Sequence, residues 1–468
     1  MKTVTKQSAS KSTVGAKQRS YAEVVEFLDA NWQTNVGDTS LSCIKQLDKA
    51  FGNISTKIHT ILVAGTKGKS LTINFASQLL QAEGLSVGSF YSPHILTYNE
   101  RIAVNKEFVS NKSFTDWGNE VINTAESLNL KPNSFEVLTI MALLFFKEQG
   151  VDVALLEVHE GGMYNPTTIC HPQIAAITRI NTDEPSKLEA AIQEITGIVK
   201  PGTYIVSADQ SKLSLQTMLE ITQEKGGTWG MPIRKLAQLN YPFEQLHGRC
   251  AALAERIAYV YINTILAKHS VMVSNSLLAK QKGQRGRPTL EAKRQLELNP
   301  KKTIEQFWKE VDCNLPGRFQ LLDKEKPSVL LDTASNLDSF ENLLLGIRLL
   351  SYQRSLKGLT LVIGCNNPDL NVTEFLKALR YFFKKTSGQV IICAPTPLVG
   401  EPHATAWDVE KITNDIRAMK IKAKSAKSFA EAFDAAQKSV DDRNGLVVVT
   451  GSTAIVADYW THKGIKKF

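Results

Sequence analysis

The stretch best suited to chemistry is a glycine-rich segment that follows an apolar run. It reads Ile61-Leu-Val-Ala-Gly-Thr-Lys-Gly-Lys-Ser-Leu-Thr72. Glycines let backbone amides turn toward phosphate groups, the following helix presents its positive N-terminus, and Lys69 supplies a cation beside the transferred phosphoryl group. The Ser70 hydroxyl could bind Mg²⁺. The segment therefore predicts a site for a nucleoside triphosphate, formed by Gly65, Thr66, Lys67, Gly68, Lys69 and Ser70.

The loop is tighter than the usual phosphate-binding pattern. Five residues before Gly68 stands Val63, where the GxxxxGK[ST] pattern has a glycine. A strand-to-helix turn that binds no ligand is the structural alternative. The order of glycine, lysine and hydroxyl directly after a strand-like run favours the nucleotide site.

The surrounding sequence alternates strand-like and helix-like segments. Such repetition with continuous apolar strands predicts parallel sheets covered on both faces, whose ligands bind at the carboxyl ends of the strands. In the first part the predicted strands are 58–64, 85–91, 153–158, 174–180 and 204–206, with helices at 69–83 and 135–148. In the second part they are 328–332, 359–363, 389–393 and 445–450, with helices at 337–350, 373–385, 407–419 and 429–440.

Size and composition are consistent with a multidomain α/β protein. A chain of 468 residues is too long for one ordinary core and predicts two or three domains. No apolar run approaches the roughly 18 to 20 residues needed to span a bilayer, and the N-terminus lacks a signal-peptide core. The six cysteines form no CxxC pair, which argues against a disulfide framework and against structural zinc. We therefore expect a cytoplasmic protein.

The net charge of +9 and the pI near 9.0 come largely from two segments. Residues 1–20 contain Lys and Arg but no acidic residue, and are expected to form a disordered basic tail, with a transit peptide as the alternative. Residues 280–302 form a second basic cluster, expected to be a solvated insertion or linker. RNA binding is the weaker interpretation of this cluster, because no aromatic residues alternate with its charges to stack on bases.

Two segments give the chain a family resemblance. The tight loop G-T-x-G-K resembles that of the Mur ligase superfamily, and Tyr91-Ser-Pro-His-Ile-Leu-Thr-Tyr-Asn-Glu-Arg-Ile-Ala-Val-Asn105 resembles a segment of folylpolyglutamate and dihydrofolate synthases. Further matches follow in the same order as in that family. They are Ser134-Phe-Glu-Val-Leu-Thr-Ile-Met-Ala142, Val151-Asp-Val-Ala-Leu-Leu-Glu-Val158 with Gly161-Gly162, Gly197-Ile-Val-Lys-Pro-Gly202, Leu315-Pro-Gly-Arg-Phe319 and Val449-Thr-Gly-Ser452.

The resemblance implies a fold and a reaction. The fold is α/β with two domains, a Mur-ligase-type ATPase domain that contains the phosphate-binding loop and a smaller Rossmann-like C-terminal ligase domain. The expected boundaries are 21–305 for the first, with a basic insertion at about 272–305, and 306–468 for the second. The implied reaction uses ATP to convert a carboxylate to an acyl phosphate, from which an amino group displaces phosphate; Mg²⁺ is the implied metal.

The resemblance also implies roles for single residues. Lys69 and Glu157 are the implied catalytic residues, and Arg318 and Asp332 join the loop in binding ATP. The implied metal ligands are Ser92, Glu157 and Glu184, the last standing where the family has the His of an Asp-His pair. The matching of the Ser-Pro-His and Glu-Arg-Ile segments makes His94 and Arg101 the implied contacts of the folate-type substrate.

Several positions depart from the family pattern. Ile195 stands where a carbamylated lysine helps to hold a second magnesium, and Ser335 replaces a histidine that faces phosphate. A nucleotide-binding His-Gln pair becomes Cys250-Ala251, which leaves Arg249 nearby without an assigned role. A Lys-Asp pair reads Pro368-Asp369. The phosphate-binding loop and first metal site are therefore expected to be usable, and the second metal site to be weakened.

We expect a divergent folate-type ligase that joins L-glutamate to a folate with consumption of ATP. A dihydrofolate synthase acting on dihydropteroate has the same chemistry and is not distinguished by the sequence. A nucleotide-binding homologue without ligase activity is the alternative of a different class, motivated by Ile195 and Ser335. A cell-wall Mur ligase is less favoured, since only a short segment precedes the loop strand. The expected partners are small molecules, with no nucleic acid and no membrane, and the expected state is a monomer.

Overall fold

The computed structural model describes residues 17–32, 40–159, 162–182, 184–268, 277–278, 303–313, 315–367, 370–398 and 407–468. Within them the chain forms two sheets, each with helices on both faces. Several segments discussed above lie outside the described residues. They are residues 1–16 of the predicted tail, most of the basic insertion, Gly161, Asp183 and the pair Pro368-Asp369. No helix in the described part of the chain is long and apolar enough to cross a membrane.

The first sheet is formed by eight strands of the described residues, in the order β4-β3-β2-β5-β1-β6-β7-β8. The strands are β1 Thr60–Ala64, β2 Val87–Phe90, β3 Ile102–Val104, β4 Glu107–Phe108, β5 Val153–Glu157, β6 Ile174–Ile177, β7 Tyr204–Ser207 and β8 Thr228–Gly230. All pairs are parallel except the two that join β2 to β3 and β3 to β4.

The helices of this first unit have the following bounds. They are α1 Tyr21–Ala30, α2 Ser42–Ala50, α3 Lys69–Ala82, α4 Asn111–Ser127, α5 Ser134–Glu148, α6 Leu188–Thr196, α7 Lys212–Glu224, α8 Phe243–Val260 and α9 Ile304–Glu310. Short 3₁₀ turns occupy Ile54–Thr56, Tyr98–Arg101, Gly162–Tyr164, Pro166–Ile169, Pro185–Lys187 and Leu266–Lys268, and a π-helical turn occupies Tyr261–Ile265.

Strand β1 lies at the centre of the first sheet because both of its faces are apolar. Leu62 and Ala64 pack into the layer that contains α5, whereas Ile61 and Val63 pack into the layer that contains α3 and α8. A strand buried on both sides reads as a continuous apolar run, which is why its position was predictable. Its carboxyl end, at Ala64, opens directly into the glycine-rich loop.

The second sheet is formed by six strands of the described residues, in the order β13-β12-β11-β14-β10-β9. The strands are β9 Gln320–Leu322, β10 Ser328–Asp332, β11 Leu359–Ile363, β12 Gln389–Ile392, β13 Lys422–Ser425 and β14 Leu446–Thr450. The helices are α10 Leu337–Gln353, α11 Val372–Phe383, α12 Val409–Ala418, α13 Phe429–Gln437 and α14 Thr453–His462. Only β9 is antiparallel to its neighbour among the described pairs.

The start of the described chain differs from the predicted disordered tail. Arg19 is buried, with its backbone N–H donating to Asn119 Oδ1 at 2.7 Å and its guanidinium 2.5 Å from Glu126 Oε1. The Ser20 hydroxyl caps α1 by accepting from the Glu23 N–H. The prediction of a disordered tail over 1–20 is therefore wrong for 17–20, because a buried, hydrogen-bonded arginine fixes that segment on α4.

The connection between the two sheets also bears on the expected domain boundary. Phe307 and Trp308 of α9 pack into the layer of α3 and α8, and the Trp308 ring lies 5.7 Å from that of Phe75. Cys313 belongs to the same cluster. A boundary at residue 305 stays a prediction, and the packing of α9 favours one after Cys313.

Candidate active site

The glycine-rich loop connects β1 to α3 with a geometry that requires its glycines. Gly65 has φ +123° and Gly68 has φ +83°. A Cβ at Gly65 would lie 2.1 Å from Thr178 Oγ1, so no larger residue fits there. The Thr66 N–H donates to the Arg179 carbonyl at 3.1 Å, and the Thr66 hydroxyl accepts from the Asn181 N–H at 2.9 Å. These bonds fix the loop against the chain that follows β6.

The N-terminus of α3 is arranged as an anion site. No side chain of the described residues caps its first turn at Gly68, so the first amides of the helix point toward the cavity with the positive end of the helix dipole. Lys69 Nζ donates to the Gly65 carbonyl at 2.9 Å. The lysine therefore lies folded over the loop, within reach of a phosphate chain bound there.

Lys67 lies in the same loop, close to two other cations. Burial and, after it, repulsion from Lys69 and Arg318 lower the pKa of Lys67 to about 8, while Asp332 and Asp338 act against this shift. An ammonium group with such a pKa is mostly protonated at neutral pH, and a negative charge bound beside it favours the protonated form further. Lys67 is therefore a cation whose charge is favoured by the ligand itself.

Glu157 lies at the carboxyl end of β5, next to β1 in the sheet. The Ser92 N–H donates to Glu157 Oε2 at 3.2 Å. Burial raises the pKa of Glu157, whereas the charge of Lys69, a hydrogen bond from Ser70 and the charge of Arg318 act to lower it. A buried carboxylate surrounded by hydroxyls and cations is an oxygen ligand of the kind that Mg²⁺ prefers.

Ser92 is held in place by Arg101. Arg101 Nη1 donates to Ser92 Oγ at 2.9 Å, and its Nε donates to His94 Nδ1 at 2.8 Å. The guanidinium also lies 5.0 Å from the Trp32 ring centroid and 5.7 Å from that of Tyr98. Burial, with the nearby charge of Arg101, lowers the pKa of His94. A neutral His94 can therefore accept the hydrogen bond that fixes the arginine.

That His94 and Arg101 contact a substrate stays a prediction. Arg101 is only 1% exposed, and neither residue lines the cavity that contains the loop. The chain turns inward at this point because the Arg101 guanidinium is sandwiched by aromatic rings and hydrogen-bonded to Ser92. In the described structure Arg101, hydrogen-bonded to His94, also holds Ser92 beside Glu157.

Glu184 also lies away from the cavity. Its side chain is 55% exposed and forms an ion pair with Lys187 at 3.0 Å. The residues of this region that line the cavity are Asn181, Thr182, Glu194 and Ile195. The structure therefore does not bring Glu184 to Ser92 and Glu157, because the turn at Pro185–Lys187 pairs its carboxylate with a lysine in solvent.

The second sheet supplies the opposite wall of the same cavity. Arg318 Nη1 donates to the Thr333 hydroxyl and to the Gly317 carbonyl. Both carboxylate oxygens of Asp332 accept backbone amides, from Phe319 at 2.8 Å and from Ala334 at 2.9 Å. Burial raises the pKa of Asp332 to about 6. Asp332 therefore fixes the backbone that presents Arg318 and the start of α10.

The cavity between the two sheets has a volume of about 1340 Å³. It brings together the predicted loop residues with Ser92, Glu157, Arg318 and Asp332. Ile195 and Ser335, the two departures from the family pattern, also line it. No group of three His, Cys, Asp or Glu side chains in the described residues forms a ready-made metal cluster. Oxygen ligands from one carboxylate, hydroxyls and a nucleotide are consistent with magnesium rather than a structural metal site.

Sequence reasoning missed His159, which lines the cavity two residues after Glu157. Burial lowers the pKa of His159 to about 3, with Lys69 and Arg101 acting in the same direction, so it is neutral at physiological pH. Arg179 and His247, two further residues of the cavity wall, were also not predicted from the sequence. His159 and Arg179 follow the carboxyl ends of β5 and β6, and His247 lies on α8 beside the loop. These positions are the signals from which the three residues could have been predicted.

The chain is similar to a dihydrofolate synthase/folylpolyglutamate synthase of Bacillus subtilis (strain 168), with 30% identity over 321 residues, 65% of this chain and 70% of that protein. Its structure is similar to Mycobacterium tuberculosis folylpolyglutamate synthase complexed with ADP and AMPPCP, with a TM-score of 0.72, 20% identity and coverage of 95% of this chain and 98% of that one.

A third similar protein is a bifunctional folylpolyglutamate synthase/dihydrofolate synthase from Yersinia pestis, complexed with AMPPNP and Mn ion. Its TM-score is 0.71 at 21% identity, with coverage of 96% of this chain and 98% of that one. No family model matches the chain. The structural similarities show a shared fold with two sheets, and the sequence similarity shows a common family.

Proposed function

The chain belongs to the dihydrofolate synthase/folylpolyglutamate synthase family, and we propose that it is an ATP-dependent ligase that joins L-glutamate to a folate. The observation that carries the proposal is the convergence of the glycine-rich loop, Glu157 and Arg318 on one cavity between the two sheets. A ligase of this class needs a phosphate site and an acceptor site that open into the same enclosed space.

The proposed chemistry transfers the γ-phosphoryl group of ATP to the substrate carboxylate, which gives ADP and an acyl phosphate. The amino group of glutamate then attacks the acyl carbon, phosphate leaves, and an amide forms. Phosphoryl transfer depends mainly on positioning and on neutralisation of charge. In this chain the loop amides and Lys69 would bind the phosphate chain, and Arg318 would approach it from the second sheet.

Magnesium fits the first of the two expected metal positions. Glu157 and Ser92 would hold it, with Ser70 close by, because a buried carboxylate and hydroxyls supply the oxygen ligands that this ion requires. When bound, Mg²⁺ supplies charge neutralisation at the phosphates. Glu184, the third ligand expected at the first position, is paired with Lys187. At the second position Ile195 has only an aliphatic side chain, so this residue does not fit a second ion.

Two other candidate functions are kept because particular observations favour them. The Bacillus subtilis relative has both dihydrofolate synthase and folylpolyglutamate synthase in its name, so dihydropteroate is an alternative acceptor. Ile195 and Ser335 in the cavity wall favour a nucleotide-binding homologue without ligase activity. We also propose a cytoplasmic monomer that acts on small molecules.

ATP turnover by the purified full-length chain tests the proposal. ADP formation is measured with ATP and Mg²⁺ alone, then with tetrahydrofolate, dihydropteroate or L-glutamate added singly and in pairs. The proposal predicts sustained turnover only when an acceptor and glutamate are both present. Turnover with dihydropteroate but not tetrahydrofolate would select the dihydrofolate synthase. Nucleotide binding without turnover in any mixture would select the homologue that lacks ligase activity.

A further inference from the structure

Helix α8 presents one face to the cavity beside the phosphate-binding loop. Gln245, Arg249 and Leu253 recur at intervals of four residues, the spacing of one helical face, and all three line the cavity. Cys250, on the same side, lies so close to the loop that a Cβ at Gly68 would be 2.8 Å from its Sγ. The N-terminal half of α8 therefore forms a wall directly against the end of the loop.

Arg249 is the positively charged residue among the three that define this face of α8. Its side chain is exposed, and within the described residues it forms no ion pair or hydrogen bond. Two other cations of the cavity wall are engaged by the protein. Lys69 donates to Gly65, and Arg234 lies 2.5 Å from Glu255. The charge of Arg249 acts to lower the pKa of the neighbouring Cys250 thiol, which burial raises to about 11.

The phosphate chain of a nucleotide carries several negative charges, and its binding depends on their neutralisation by nearby cations. Lys67, with its pKa lowered to about 8, loses its charge in mildly alkaline solution. A guanidinium stays charged throughout the physiological range and binds phosphate oxygens through two parallel N–H groups. An unengaged arginine one residue from the Cys250–Gly68 contact adds such a cation on the α8 side of the loop.

We propose that Arg249 is a phosphate-binding residue of the nucleotide site. Resting on the proposed function, the assignment adds a contact from α8 to those from the loop and from Arg318. It concerns the phosphate chain and not the base or sugar, because the neighbouring groups are the loop glycine and the N-terminus of α3. Removal of its guanidinium should weaken binding in proportion to the number of phosphates on the ligand.

The test measures nucleotide binding to the full-length chain by isothermal titration with ATP, ADP, AMP and adenosine, for wild type, Arg249→Gln and Arg249→Lys. Arg443→Gln is the matched control, since Arg443 is exposed and does not line the cavity. Loss of a charge-assisted hydrogen bond should weaken ATP binding by about tenfold or more in Arg249→Gln. Adenosine binding should be unchanged, and Arg249→Lys should recover part of the ATP affinity.

Two results would overturn the assignment. Equal ATP affinity in Arg249→Gln and wild type would mean that the guanidinium does not meet the phosphates. An equal loss of affinity for adenosine and ATP would mean that the residue supports the base or the fold instead. A wild-type chain that binds none of these nucleotides would contradict the proposed function itself, and the assignment would fall with it.

Discussion

At the scale of single residues, Glu157 is a position where the requirements of the chemistry reduce the stability of the fold. Its carboxylate is buried between Ser92 and the cations of the loop and of Arg318. Burial raises its pKa, so the folded protein binds a proton there more tightly than the unfolded chain does. The ionised form needed for a metal ligand is therefore destabilising in the absence of a bound cation.

Glu157→Gln should raise stability and abolish Mg²⁺-dependent turnover. Because the folded-state pKa is raised, wild type loses stability as pH rises from the ordinary carboxyl range through that pKa, and the loss is complete above it. Glutamine carries no charge to desolvate and is a poor metal ligand. Thermal unfolding at pH 4 and pH 8 without metal should show a gain for the variant mainly at the higher pH. A variant less stable than wild type at pH 8 would contradict this account of the burial.

Lys69→Ala should remove turnover without unfolding the protein. The Lys69 side chain donates to loop carbonyls, and it would neutralise charge on the transferred phosphoryl group. Loss of such a contact costs on the order of 10²-fold or more in rate. Lys147→Ala, at an exposed position at the end of α5, is the control and should keep wild-type turnover. Unchanged turnover in Lys69→Ala would exclude a role for the loop lysine.

Residue roles were predictable where local sequence determines them. The loop glycines and Lys69 follow a strand directly, so the sequence predicts their meeting at the carboxyl end of β1. Arg101 and Glu184 differ, because their surroundings come from distant segments. Trp32 and Tyr98 enclose Arg101, and Lys187 pairs with Glu184 in a turn that faces solvent. A motif match identifies such positions but not the direction in which their side chains point.

At the scale of elements, the buried strands were predictable and the edge strands were not. β1, β5, β10 and β11 are continuous apolar runs because both of their faces are covered. β13 reads Lys-Ala-Lys-Ser, since it is an edge strand with alternate residues in solvent. Helix α4 contains Gly118, where a Cβ would lie 2.6 Å from Val24. Its glycine serves the packing of α1 and weakens the helical signal in the sequence.

The connection from β1 to α3 should tolerate no substitution at Gly65. In Gly65→Ala the new Cβ would collide with Thr178 and force the loop to move. Gly84→Ala is the matched control, because Gly84 also has positive φ, +88°, but open space around it. The control should lose about 1 kcal/mol from its backbone conformation alone. Thermal unfolding and ATP titration should show a larger loss of stability, and loss of nucleotide binding, only in Gly65→Ala. Equal effects of the two substitutions would mean that the contact with Thr178 does not shape the loop.

At the scale of the whole molecule, the site exists only where the two sheets meet. Phe243 and His247 of α8 pack against Phe319, at ring distances of 6.1 and 6.5 Å, and a Cβ at Gly346 would lie 2.3 Å from the Phe319 ring. The Tyr241 hydroxyl donates to the Leu349 carbonyl at 2.8 Å. These contacts join α8, which flanks the loop, to the second unit beside Arg318. Movement of one unit against the other would therefore change both walls of the cavity together.

Arg318→Ala should weaken ATP binding across the cavity. Arg318 is held by Thr333 and the Gly317 carbonyl and approaches the loop from the second sheet. Loss of a hydrogen bond to a charged group typically costs about 1.5–3 kcal/mol, which is roughly 10- to 100-fold in affinity. ATP titration of the full-length variant measures the change, with Lys424→Ala on the exposed edge strand β13 as the control. Wild-type affinity in Arg318→Ala would remove the support for a nucleotide site shared by both units.

The central claim is that the cavity couples phosphoryl transfer to amide formation. Its most direct test uses an acceptor folate whose γ-carboxylate carries heavy oxygen, incubated with the full-length chain, ATP, Mg²⁺ and L-glutamate. An acyl phosphate requires that one labelled oxygen leave the carboxylate with the phosphate. Mass spectrometry should therefore find one heavy oxygen in the released phosphate for each amide formed. Amide formation with unlabelled phosphate, or ADP release with no amide, would contradict the account.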